Sequence, residues 1–198
     1  MLRATMNAPR FRMKLLSGVI AAASILAAAD ARAQPLDTVQ IRPNVWVIFG
    51  AGGNVTVHVG EDGVILVDSG SEAMAARTLV AVQAITKAPI RMIIDTSADP
   101  EHVGGNDKVG AAGVPINPDN FTDEERATVL SHENVLQRMS APKNRNEKPA
   151  PTAMWPTETF TSRYRSFYVN DEAVQASRAS SRRSIVCSIS PFRRCHSC

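Results

Sequence analysis

An apolar run that stops abruptly in a glycine-closed polar loop leaves this chain few ways to fold. Ile90, Met92, Ile93 and Ile94 end at Asp95, and Thr96, Ser97, Asp99, Glu101 and His102 follow before Gly104 and Gly105. A short apolar run bounded by turn formers predicts a buried strand. A buried strand with a polar end predicts an α/β-type layout in which the loop at the strand's C-terminal edge carries a site. Carboxylates and an imidazole are the donor types that suit a divalent cation. Positions 97, 99, 101 and 102 suit a tight loop whose alternate side chains converge. The same string also fits a plain polar turn after a buried strand, with Asp99 before Pro100 as its starter.

The residues upstream support a sheet feeding that loop. Residues 45–49 are a short apolar strand and 50–53 a turn. Residues 54–59 alternate, with Val55, Val57 and Val59 against Asn54, Thr56 and His58, the period of a half-buried strand. His58 falls on the polar side, which places it at the surface or beside a site rather than among ligands. Glu61, Asp62 and Gly63 turn the chain into 63–67, apolar enough to be buried on both faces. Asp68 ends that strand, Ser71 is an N-cap candidate with Glu72 in the first turn, and Ala75, Leu79, Val82 and Ile85 recur at helical spacing. Ala88-Pro89 stops the helix.

Downstream, a short helix is predicted over 104–110, ended by Gly113, and then a short strand over 114–116. A polar surface excursion covers 117–125. Residues 127–131 read as a strand, and His132 opens a helix through Met139. The Pro-rich stretch 141–156 is a linker or lid that Trp155 docks. Residues 160–169 bring Tyr164, Phe167 and Tyr168, and Asn170, Asp171 and Glu172 turn the chain into a strand starting at 173–175.

The loop resembles the T-H-x-H-x-D-H-x-G-G signature of the metallo-β-lactamase fold. Thr96, His102, Gly104 and Gly105 match it, while Ser97 and Asp99 replace the two leading His and Glu101 replaces the Asp. The resemblance spans about 38–175 and implies an α+β fold, an αββα sandwich of which this chain carries the first half and the start of the second. It implies a hydrolase in which a metal-bound water attacks an amide, ester or thioester. Matched position by position, His102, Asp99 and Glu101 are the metal ligands, Glu101 and Asp99 the catalytic acids and bases, and Asp68, Ser97 and His132 the residues that orient them. For Asp68 and His132, helix-capping or turn roles stay open. Two lost imidazoles make the site oxygen-rich, so zinc or another divalent metal is expected to bind weakly or not at all.

The two ends differ from the body. Arg3, Arg10, Arg12 and Lys14 precede an apolar stretch over 15–29 and an Ala31-Arg32-Ala33 cleavage site, the order of a secretory signal peptide over 1–33. The apolar stretch is too short for a membrane span. Cleavage after Ala33 implies a periplasmic or secreted protein. The segment 176–198 turns to Ser and Arg, holds all three Cys and no acid, and is expected to be an unstructured basic tail. Three origins fit it: an interaction arm, a Cys/His knuckle, or a shifted reading frame. Read one base later, codons for 176–183 can spell His-Pro-Ala-Ala-His-His-Asp, a string like the next His-bearing loop of the family. If the second half is missing, the first sheet exposes an apolar face and the product folds poorly.

Charge narrows the partners. The tail carries +5 and residues 1–33 carry +4 of a total of +3, which leaves 34–175 at −6. The basic pI of about 9.0 therefore belongs to the ends. An acidic body without a basic aromatic stripe argues against nucleic acid. A small-molecule substrate is the expected partner, with no membrane contact after cleavage and the oligomeric state open. A non-catalytic periplasmic ligand-binding protein on the same fold is the alternative to a hydrolase.

Overall fold

The computed structural model describes residues 35–117, 125–141, 148–179 and 184–191. The expected signal peptide lies outside them, as do 118–124 of the polar excursion and 142–147 of the Pro-rich stretch.

Seven strands lie in sequence order in one sheet: β1 (Asp37–Arg42), β2 (Val45–Phe49), β3 (Val55–Gly60), β4 (Gly63–Val67), β5 (Ile90–Ile94), β6 (Thr128–His132) and β7 (Glu158–Phe160). The first four are joined by tight turns and run antiparallel. From β4 to β7 the pairing is parallel, because each crossover carries a helix. Helix α1 (Ala75–Ile85) links β4 to β5. The short helices α2 (Pro100–Val103) and α3 (Asn106–Ala111) follow β5, and α4 (Glu133–Ser140) follows β6. A second sheet, β8 (Tyr164–Val169), β9 (Glu172–Arg178) and β10 (Ile185–Pro191), is antiparallel with β9 in the middle.

The buried strands are apolar on both faces because both faces are covered. Leu66, Ile93 and Val129 pack with Val82 of α1 and Val109 of α3. Their neighbours Ile65, Ile94 and Leu130 pack on the other face against Val169, Val174 and Ile185 of the second sheet. Each such side chain contributes about 1.5–3 kcal/mol on burial. Helix α4 closes one end of the second core through Val135 and Met139. This is the α+β arrangement, with two sheets face to face, that the resemblance implies.

Several expectations are corrected. β1 had no clear signal in the sequence, since its residues are exposed on both faces apart from Arg42. Residues 114–116 form no strand; Val114 N–H donates to Ile90 O, and the segment passes the strand ends without joining the sheet. Ser71 makes no side-chain cap; a 3-10 turn over Glu72–Met74 precedes α1 instead. The tail is structured over 176–178 and 185–191. There β10 pairs with β9, and Ile185, Cys187 and Ile189 alternate towards the core. The first sheet's apolar face is thus covered rather than exposed.

The sheets are also tied by polar groups. Asn170 and Asp171, both at positive φ, make the β8–β9 turn. Asn170 N–H donates to Asp62 Oδ2 at 2.6 Å, Asp62 N–H donates to Asn170 Oδ1 at 2.9 Å, and the two turns clasp. His58, expected at the surface or beside a site, is fully buried, because the second sheet covers that face and brings Glu172 to 3.0 Å from Nε2.

Candidate active site at the strand ends

Parallel pairing of β4 and β5 brings the residues after both strands to one edge. Asp68 N–H donates to Ile94 O at 3.0 Å. Asp68 has φ of 63°, a left-handed conformation in which its carboxylate meets the next strand's end. That carboxylate accepts from Thr96 N–H at 2.7 Å and from Thr96 Oγ1 at 2.7 Å, and lies 2.7 Å from His102 Nδ1. A carboxylate only accepts, so His102 carries its proton on Nδ1, and Nε2 keeps the lone pair when the ring is neutral. The hydrogen bond to Asp68 raises the His102 pKa, outweighing the opposing effect of burial.

The loop does not converge as its spacing suggested. Residues 100–103 are helical, with Pro100 at the first position, where it lacks nothing by having no N–H. Glu101 and His102 are therefore successive helical residues, roughly 100° apart around the axis. Glu101 is exposed to solvent. Asp99 Oδ1 accepts from Arg138 Nη2 at 2.8 Å, and Asp99 Oδ2 accepts from Ser97 Oγ at 2.7 Å. His132 Nδ1 accepts from Asn134 N–H at 3.1 Å and so caps α4, with its ring edge-on to Phe160 at 5.1 Å.

The glycine pair is required by packing. A Cβ on Gly104 would meet Glu72 N and Pro100 O at 2.5 Å, and one on Gly105 would collide with Ser69 O. The close approach holds the loop against the turn after β4.

Behind the loop runs a buried polar chain that motif reading missed. Ser69 Oγ donates to Asn106 Oδ1 at 2.7 Å, and Asn106 Nδ2 donates to Asp95 Oδ2 at 2.9 Å and to Met154 O at 2.9 Å. Complete burial pushes the Asp95 carboxyl well up, which favours the protonated acid. The available signal was an acid placed directly after the apolar run Met92-Ile93-Ile94. Arg138 was also missed, since only the tertiary fold brings α4 beside Asp99.

Tested against a zinc centre, these residues do not fit. Among the described residues no group of three His, Cys, Asp or Glu side chains converges. His102 Nε2 is the one suitable imidazole nitrogen in the loop. Asp99 is engaged by a guanidinium, whose positive charge opposes a nearby cation. Burial, and then the Asp68 carboxylate, push the Cys187 thiol up to about 12, away from the thiolate that binds metals.

No family model and no curated protein matches the chain. Solved structures do. A metallo-β-lactamase of Cronobacter sakazakii, described by its HARLDQ motif, aligns with TM-score 0.57 and 17% identity over 81% of this chain and 60% of that one. A subclass B3 metallo-β-lactamase of Bradyrhizobium japonicum aligns with TM-score 0.58 and 15% identity over 81% and 59%. A class B3 di-zinc metallo-β-lactamase from an Alaskan soil metagenome gives TM-score 0.58 and 12% identity over 81% and 60%. The chain thus spans about 60% of the length of these neighbours, and at such identities the likeness is one of fold.

Proposed function

Taking the metallo-β-lactamase fold as the premise, we propose that the chain is an exported hydrolase-like protein with impaired metal chemistry. It receives a small amide, ester or thioester at the C-terminal edge of its parallel strands. One observation carries the impairment: Asp99, at the place of a ligating imidazole, is held by Arg138 and Ser97 at 2.8 and 2.7 Å. The chain's own contribution at that edge is proton handling. Asp68 orients His102 and stabilises its charged form, and Nε2 is the nitrogen able to exchange a proton with a bound molecule. The basic, apolar and Ala31-Arg32-Ala33 order of residues 1–33 supports export.

The Asp99–Arg138 pair favours a second reading, a non-catalytic ligand-binding protein on the same fold. Like this chain's Ser-Ala-Asp-Pro-Glu-His string, the HARLDQ motif of the Cronobacter neighbour departs from H-x-H-x-D-H.

Zinc titration of the full chain, followed by turnover assays on β-lactam, ester and thioester substrates, tests both readings. The expected result is weak zinc binding, tightened about a hundredfold in the Ser97→His/Asp99→His variant, which restores two imidazoles. Stoichiometric nanomolar zinc in the unaltered chain, with turnover abolished by His102→Ala, would overturn the impairment. Saturable substrate binding without turnover in either form would select the second reading.

A further inference from the structure

At the opposite end of the same parallel strands, roughly 15 Å of strand away from Asp68, a cavity of about 690 Å³ opens between the starts of β4, β5 and β7 and strand β8. That volume is in the range of small-molecule sites. Its polar wall leaves one guanidinium N–H unpaired. Arg91 Nη2 donates to Ile116 O at 3.1 Å, while Arg91 Nε is buried with no partner among the described residues. A buried guanidinium N–H without an acceptor is costly, and such groups mark places where a ligand or water completes the bonding. Room for this arginine is built into the backbone. Gly63 has φ of +114°, and a Cβ there would meet Arg91 Cγ at 2.6 Å and Pro89 O at 2.8 Å.

Two of the three acids on the wall are already engaged. Asp62 is taken by Asn170 N–H, and Glu158 is paired with Arg165. Glu61 makes no ion pair among the described residues. Arg91, with its unpaired Nε–H, and Glu61, an acid without an ion pair, thus share a cavity whose remaining wall includes Met92, Ile116 and Phe167. Three acids against two arginines give the lining a net charge of −1, which disfavours a polyanion.

We infer that this cavity binds a small zwitterion with an apolar body, of the free amino-acid or short-peptide class. The ligand's carboxylate meets Arg91, its ammonium group meets Glu61, and its apolar body lies on Met92 and Phe167. The site is independent of the chemistry at the other strand ends.

Calorimetric titration of the full chain with L-leucine and with leucyl-leucine tests it, with N-acetyl-leucine amide and 4-methylpentanoate as controls. At least one zwitterion should bind, and the uncharged amide should bind about tenfold more weakly or worse. The tighter of leucine and the dipeptide identifies which source supplies the ligand. Arg91→Met should weaken the zwitterion about tenfold or more. Glu61→Gln, on an exposed side chain, should weaken the zwitterion while leaving 4-methylpentanoate unchanged, and it decides the matter alone if Arg91→Met does not fold. No binding up to about 10 mM, equal binding of the amide, or unchanged zwitterion affinity in Glu61→Gln would overturn the inference.

Discussion

His102 and His58 each sit against a carboxylate, at 2.7 Å from Asp68 and 3.0 Å from Glu172, yet their pKa values move in opposite directions. At the strand ends the His102 side chain is 35% exposed, so water still solvates the imidazolium and the Asp68 hydrogen bond raises the pKa. Between the sheets His58 is fully enclosed. There the loss of hydration outweighs Glu172, Arg42 adds repulsion, and the pKa falls. An imidazole beside a carboxylate thus favours the charged ring at an edge and the neutral ring in a core. Burial decides which.

The largest expected effect comes from breaking the inner pair. Glu172→Ala should cost about 3 kcal/mol, or roughly 9 °C in Tm, because it leaves His58 and Arg42 without their acceptor. Thermal melts of the two proteins check this, and a loss below about 1 kcal/mol would place the network with ordinary surface pairs.

Asp68→Ala should cost about 2 kcal/mol, since three donors lose one acceptor. It should also bring the His102 pKa back down, which the ring proton shifts report. An unmoved His102 titration would show that Asp68 is not its partner in solution.

The pH dependence separates the two histidines more finely. His58 has a lowered folded pKa, so its stabilising effect is present above the unfolded value near 6.5 and is lost as pH falls below it. His102 has a raised folded pKa, so its effect is present below 6.5 and is lost as pH rises through the folded value. His58→Gln should therefore flatten the acid side of a stability profile, and His102→Gln the neutral side. Identical changes in both variants would erase the distinction.

The smallest effect belongs to Arg138→Ala. Its partner Asp99 has a side chain 52% exposed, so the variant should lose less than about 1 kcal/mol in chemical denaturation. A larger loss would mean that the loop depends on this pair for its shape.

Much of the first sheet is legible in the amino-acid sequence. β2 and β4 have the boundaries their apolar runs predict, α1 follows its 3.6-residue period to Ile85, and β5 ends at Ile94, just before the polar loop opens at Asp95. Thr96, His102 and the glycine pair lie in the loop whose His102 meets Asp68 at the strand edge. The partnering of residues distant in sequence is not legible there. β1 and β10 lie at sheet edges, where one flank lacks a neighbouring strand and the apolar signal is weak. In β10 the alternation of Ile185, Cys187 and Ile189 is masked by serines and arginines.

The sequence alone determined the strand and helix periods, the turns, the likeness of loop 96–105 and the charge contrast between body and ends. These are set within a few residues, by side-chain periodicity and backbone preference. Only the tertiary structure decided that His58 is interior, that Asp99 faces Arg138 rather than a set of converging ligands, and that Arg91 is left with an unpaired donor beside a cavity. Desolvation and charge pairing depend on which distant surface arrives, and no local pattern carries that information.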